Sequence, residues 1–161
     1  MATTHYLIGK VTVGSDGASS ITFSSIPQTF TDLLLVTSLR WSSTIDDNFY
    51  LIFNSNTSSY SYRHLRGNGS NAASGNLSSQ SSLWTGWTLG SNFTANTFSN
   101  TSHYIPNYAG STNKSYSIDS VMETNATTAY AVLAAGLWSN TAAITSITLA
   151  PGVGTNFVQY S

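Results

Sequence analysis

The chain has no cysteine, three prolines and, with five Lys+Arg and six Asp+Glu, a charged fraction of only 7% in 161 residues. Without cysteine there are no disulfides and no thiolate metal sites, so stability has to come from packing, β ladders or assembly with other subunits. The few cations, Lys10, Arg40, Arg63, Arg66 and Lys114, are spread over the whole length. Nucleic acid held by its phosphates needs several clustered Lys or Arg, so a nucleic-acid partner is not expected. No apolar run approaches the ~20 residues of a membrane-crossing helix. The start, Met1-Ala2-Thr3-Thr4-His5-Tyr6, lacks the basic and apolar regions of a signal peptide. The expectation is a soluble chain with no membrane partner.

In place of charge stand 28 Ser, 22 Thr and 14 Asn, 40% of all residues. Small domains usually stay dispersed by surface charge, and a coat of hydroxyls and amides suits a protein that lives in an assembly. A net charge of −1 beside 7 Phe, 9 Tyr and 4 Trp is the opposite of a disordered composition. At this length the chain is expected to form one domain, residues 1–161.

Strand signals dominate. Apolar and polar residues alternate in Lys10-Val11-Thr12-Val13, Ile21-Thr22-Phe23, Ser115-Tyr116-Ser117-Ile118 and Thr145-Ser146-Ile147-Thr148-Leu149, which predicts strands with one buried face. Leu33-Leu34-Leu35-Val36 and Phe49-Tyr50-Leu51-Ile52-Phe53 are short continuous apolar runs, the pattern of strands covered on both faces at the centre of a sheet. The run from Tyr130 to Trp138 mixes helix-favouring alanines with Gly136 and is read as a strand. Turn residues separate these runs at Gly14-Ser15-Asp16-Gly17, Ile26-Pro27-Gln28, Asn54-Ser55-Asn56, Pro106-Asn107 and Pro151-Gly152. Eight to ten short strands at this spacing predict an all-β, antiparallel β-sandwich or barrel. Residues 67–82, rich in Gly, Ser, Asn and Ala with Leu77 the one large apolar side chain, read as a long exposed loop.

Catalytic patterns are missing. Serine is too abundant for its nearness to His5, His64 or His103 to mean anything, and no Gly-x-Ser-x-Gly elbow occurs. His64 is expected to point outward from a strand, and His103 to play a similarly plain part. Asp46-Asp47-Asn48 lacks the spaced ligands and distal Glu of a calcium loop and is read as turn capping. Asp119 and Glu123, four residues apart on a strand, stand about 13 Å apart at ~3.3 Å per residue, too far for a glycosidase pair. Gly67-Asn68-Gly69-Ser70 and Gly152-Val153-Gly154 lack the lysine of a phosphate cradle. No catalytic, cofactor or metal residue is assigned. The seven Asn-x-Ser/Thr triplets follow from composition.

The aromatic residues supply the remaining candidates. Trp84 and Trp87, at i and i+3 beside Gly86, are expected on opposite faces of a strand. With Tyr104 and Tyr108 they are candidate subunit-interface or glycan contacts, since Trp and Tyr are enriched at interfaces and also form sugar-stacking platforms.

The run from Ile21 through Asp32 to Leu35, then Arg40, Leu51-Ile52-Phe53-Asn54 and Tyr60-Ser61-Tyr62-Arg63-His64-Leu65-Arg66-Gly67, resembles a group of small β-rich virion structural proteins of marine and freshwater tailed phages, of the cyanophage and pelagiphage type. Tyr104-Ile105-Pro106-Asn107-Tyr108, the segment from Asn113 to Val121, and Ala135-Gly136-Leu137-Trp138 through Leu149 continue the likeness over nearly the whole chain. The resemblance implies a jelly-roll-like β-sandwich, no catalysis and assembly into the virion. Within such a fold Pro27 would fix a turn, Asp32 would cap the turn before the Leu33 strand, and Arg63 would pair or stack across the sandwich. Similar proteins run past the region of Phe157 to Tyr160 into a further aromatic-containing strand. The expected function is that of a capsid decoration, cement or head-fibre subunit binding the major capsid protein as a homo-oligomer, with a trimer the first expectation. The alternative is a tail-fibre module recognising host glycans.

Overall fold

The computed structural model describes residues 4–44, 47–125, 129–152 and 156–161. Ten strands follow one another, with no helix among the described residues: β1 (Ile21–Phe23), β2 (Leu33–Leu39), β3 (Asp47–Phe53), β4 (Tyr60–Gly67), β5 (Ala72–Gln80), β6 (Leu83–Thr88), β7 (Ser99–Ile105), β8 (Lys114–Met122), β9 (Tyr130–Trp138) and β10 (Ile147–Pro151). They form two antiparallel sheets, a four-stranded one ordered β1-β10-β3-β6 and a six-stranded one ordered β2-β7-β8-β9-β4-β5. The chain crosses from sheet to sheet at each of its first steps, β1 to β2 to β3 to β4, as in a jelly roll, and the β8–β9 hairpin widens the larger sheet. The protein is an all-β, antiparallel β-sandwich.

Period-two alternation decides which side chains enter the core. On β8 every even residue from Lys114 to Met122 is buried, and the odd ones from Ser115 to Asp119 are exposed. On β3 the buried set is Phe49, Leu51 and Phe53, while Tyr50 and Ile52 are half-buried on the other face. Phe53 packs on Trp138 (ring centroids 5.6 Å) and Tyr60 (6.2 Å), and Tyr60 stacks on Trp138 at 6.0 Å. The Tyr60 hydroxyl accepts from the Phe53 N–H (2.9 Å) and donates to the Asn56 carbonyl (3.1 Å), and burial pushes its pKa up to about 12. Gly136 of β9 lies between Tyr116 and Tyr62 in register, and the Tyr116 ring occupies the space a side chain there would need.

Several expectations need correction. Lys10-Val11-Thr12-Val13 forms no strand; Val13 is instead tied by its N–H to the Ser161 carbonyl and by its carbonyl to the Tyr160 N–H, both at 3.0 Å. The Leu33 run is an edge strand, with Leu34 and Val36 exposed, because a continuous apolar run does not distinguish a covered strand from one with an apolar outer face. The long loop at 67–82 is the end of β4, a tight turn and β5: Asn68 Oδ1 accepts from the Ser70 and Asn71 N–H groups, and the Asn68 N–H reaches the Asn71 carbonyl. β5 has few apolar residues because both its faces are largely exposed, and its pairing with β4 supplies what the side chains do not. Asp46 lies outside the described residues, and Asp47 opens β3. Asp32 does not cap its own turn; it accepts from the Tyr104 hydroxyl (2.8 Å) and the Asn107 N–H (2.9 Å), which hold its carboxyl below the usual range.

Arg40 is the organising cation. It is 8% exposed, and its guanidinium donates to the carbonyls of Thr94 and Thr97 (2.9 Å each), Phe93 (2.9 Å) and Ser91 (3.3 Å), pinning the loop between β6 and β7. Its own carbonyl accepts from the Val158 N–H and the Ser161 hydroxyl. Removing the guanidinium strands several carbonyls at once, but they lie in a surface loop that water can reach. Arg40→Ala is therefore expected to cost about 2 kcal/mol and to raise amide hydrogen exchange in residues 91–97 more than in β8.

Candidate functional site

The densest set of aromatic and cationic side chains lies where β6, the edge of the smaller sheet, meets the inner face of β4 and β9. Tyr62, His64 and Arg66 share that face because they alternate along β4. Trp84 lies 4.4 Å from His64 and stacks on Tyr62 at 5.9 Å, and Trp87 meets Trp84 edge-on at 5.0 Å. Trp87 stacks on Tyr130 at 4.6 Å, and the Arg66 guanidinium sits 4.8 Å from the Trp87 ring and 5.8 Å from the Tyr130 ring. The Trp84 indole N–H donates to Asn48 Oδ1.

The two tryptophans therefore lie on the same side, against the expectation of opposite faces. The cause is a bulge: Asn48 pairs with Trp87 and Tyr50 with Trp84, so two residues of β6, Thr85 and Gly86, stand opposite Phe49. Gly86 has φ +95°, and a Cβ there would come within 2.9 Å of Ser120 Cβ on β8. The bulge sets Gly86 against Ser120, a member of the polar inner row Thr37, Thr101 and Ser120, in which the Thr101 hydroxyl donates to Ser120 Oγ at 3.1 Å.

The four candidate aromatics are not brought together. Tyr108 is fully buried, its hydroxyl donating to the Pro27 carbonyl, and Trp84 is 4% exposed, so neither presents a ring to a ligand. Trp87 is half-buried in the cluster just described. Tyr104 is exposed on the outer face of β7, and the hydrogen bond that its hydroxyl donates to Asp32 raises its pKa. Arg63 is exposed on the outer face of β4 rather than bridging the sandwich; Arg66 makes the ring contacts.

His64 is likewise elsewhere than expected, on the inner face of its strand rather than the outer one. His64 points inward against Trp84, and its pKa is lowered by burial and by the nearby Arg66. His103 is wholly buried in the same inner row, which runs His64, Ala134, Ile118, His103 across β4, β9, β8 and β7. Its ring stacks on Tyr116 at 6.2 Å and meets the Phe49 edge at 5.8 Å, and neither nitrogen has a protein hydrogen-bond partner. Burial drives its pKa down to about 3. A neutral imidazole walled in by rings cannot reach a substrate, so it has no route to acid–base chemistry.

The outer face of the six-stranded sheet is open instead. Register places Ser74, Leu65, Leu133, Asp119, Ser102 and Val36 side by side across it, and Leu65, Leu133 and Val36 are 63%, 62% and 69% exposed. The next row is Asn76, Arg63, Ala135, Ser117, Tyr104 and Leu34. Two shallow depressions of about 610 and 520 Å³ flank the Leu65–Leu133 ridge. Arg66 and Tyr130 lie in segments read as strands but carry no site motif, and the outer rows emerge only once the register is known. No protein-family model matches the chain, and neither a search of curated proteins nor one of solved structures returns a match.

Proposed function

We propose that this chain is a non-enzymatic structural protein of a tailed-phage virion, a capsid decoration, cement or head-fibre subunit that binds the coat surface as a homo-oligomer, with a trimer the first expectation. The observation that carries the reading is the uncovered outer face of the larger sheet, where Leu65, Leu133, Leu34, Val36 and Tyr104 are exposed among small polar residues. Isolated exposed apolar side chains are ordinary, but a set aligned across a sheet is the composition of a contact surface. The sequence resemblance points the same way.

The test is co-sedimentation of the purified chain with coat-protein shells that lack it. Saturable binding at a fixed number of copies per shell is expected. Because the face holds so little charge, affinity should change less than about threefold between about 50 and 500 mM salt. Leu65→Lys with Leu133→Lys should weaken it at least about tenfold. Absence of binding by the folded chain would overturn the proposal.

The second reading, a tail-fibre module for host glycans, draws on the stacked Trp87, Tyr130 and Arg66. It predicts reproducible binding on a glycan array that Trp87→Ala abolishes while the circular dichroism spectrum is kept.

A further inference from the structure

Asn68-Gly69 is the one Asn-Gly pair in the chain, and it lies in the turn that joins β4 to β5. Asparagine is a thermally labile residue, because the next backbone nitrogen can attack the side-chain Cγ, and a following glycine, with no Cβ, leaves that approach unhindered. Gly69 has φ +85°, and apart from its chain neighbours no atom lies within 4 Å of where its Cβ would stand. Both residues are exposed to water.

The turn also prepares the amide for attack. Asn68 Oδ1 accepts from the N–H groups of Ser70 (3.1 Å) and Asn71 (2.7 Å), which polarise the side-chain carbonyl and stay in place as negative charge develops on its oxygen, as the donors of an oxyanion hole do. The Asn68 amide nitrogen and the Gly69 N–H, leaving group and nucleophile, have no hydrogen-bond partner among the described residues. Comparable pairs elsewhere are tied. Asn54, which precedes Ser55, donates from Nδ2 to the Ala143 carbonyl (2.8 Å) and accepts at Oδ1 from the Thr145 N–H (2.8 Å). In Asp16-Gly17 the Gly17 N–H is donated to the Gly14 carbonyl at 3.1 Å.

We propose that Asn68 is a self-modification site, converted in the folded protein to isoaspartate and aspartate with water as the co-reactant. The Gly69 nitrogen bonds to Asn68 Cγ while its proton passes through water to Nδ2. The Cγ–Nδ2 bond then breaks, ammonia leaves and a cyclic succinimide remains. Water adds to either imide carbonyl, and the ring opens to isoaspartate or to aspartate. Each product adds one negative charge to a chain whose formal net charge is −1. Isoaspartate also inserts a methylene into the main chain beside Gly67 and Ala72, the last pair of the β4–β5 ladder. β5 is held mainly by that ladder, since both its faces are largely exposed, so its Ala72–Ser74 end loosens. None of this requires the assembly proposed above.

The full-length folded chain is held at neutral pH, beside a sample unfolded in urea, for the time in which Asn68 of the unfolded sample converts by half. An acidic form should appear in the folded sample on ion exchange. Peptide mapping with isoaspartyl methylation should place both isoaspartate and aspartate at position 68, and heavy-oxygen water should label each product. Asn68→Ser, which keeps a side-chain acceptor for the turn, should lose the acidic form while the circular dichroism spectrum is kept. In the separated isoaspartyl form, amide hydrogen exchange should rise in residues 72–74 and stay unchanged in β8. No acidic form in that time, or one that maps first to another residue, would overturn the proposal. Unchanged exchange at 72–74 would overturn the loosening of β5.

Discussion

Acidification from about pH 6.5 to about pH 4 is expected to remove about 3 kcal/mol of stability through His103 alone. In the folded chain this imidazole takes up a proton only near pH 3, whereas in the unfolded chain it does so at the ordinary 6.5. Between those values the unfolded state binds the extra proton, so stability is complete above pH 6.5 and declines by about 1.4 kcal/mol per pH unit as pH falls toward 3. His64, whose pKa is also lowered, adds a loss in the same direction. His103→Phe removes the titrating group and two unpartnered buried nitrogens, keeping a ring between Phe49 and Tyr116. Urea denaturation at pH 7 should show the variant about 1 kcal/mol more stable. The gap should widen by about 2 kcal/mol or more at pH 4.5. A constant gap between the two proteins from pH 7 to 4.5 would contradict the burial argument.

Gly136→Ala is expected to destabilise by about 3 kcal/mol or more, at the upper end of what overpacking costs. The added methyl would overlap the Tyr116 ring and come within 2.9 Å of Leu83 Cδ2 from the opposite sheet. Neither neighbour has room to give. Leu83 is fully buried, and Tyr116 is 3% exposed with its hydroxyl donating to the Trp84 carbonyl. The methyl therefore pushes on both layers and on the strand carrying Trp84. A thermal denaturation midpoint within about 2 °C of the parent protein would show that the sheets pack less tightly here than the structure describes. Tyr116→Phe is the companion variant: it removes the hydroxyl bond but leaves the ring, and should not relieve the clash in the double variant.

The sequence made the strands legible wherever a period of two coincided with one buried face. β8 is the clearest case, and β9 kept its strand character despite its alanines because Gly136 is there to admit Tyr116. Three kinds of feature were hidden. β5 has almost no apolar residues, so hydrophobic periodicity carries no signal for a strand exposed on both faces. A bulge shifts facing by one residue, so Trp84 and Trp87 could not be placed on one side by counting. Burial of His103 and Arg40 depended on partners far along the chain, Phe49 for the first and the carbonyls of residues 91–97 for the second. The candidate site suffered most from these limits. Tyr108 and Trp84 are aromatic because the core needs their bulk and their hydrogen bonds. The exposed apolar residues that remain, on β2, β4 and β9, look in sequence like any other core strand.

The central claim, the proposal that the exposed sheet face is a contact surface in a virion, is tested most directly by a symmetric reconstruction of phage particles assembled in the presence of this chain. The account predicts density for the ten-stranded sandwich on the capsid lattice, with the face bearing Leu65 and Leu133 against coat protein. Density for the chain at the tail tip alone, with that face turned to solvent, would contradict it.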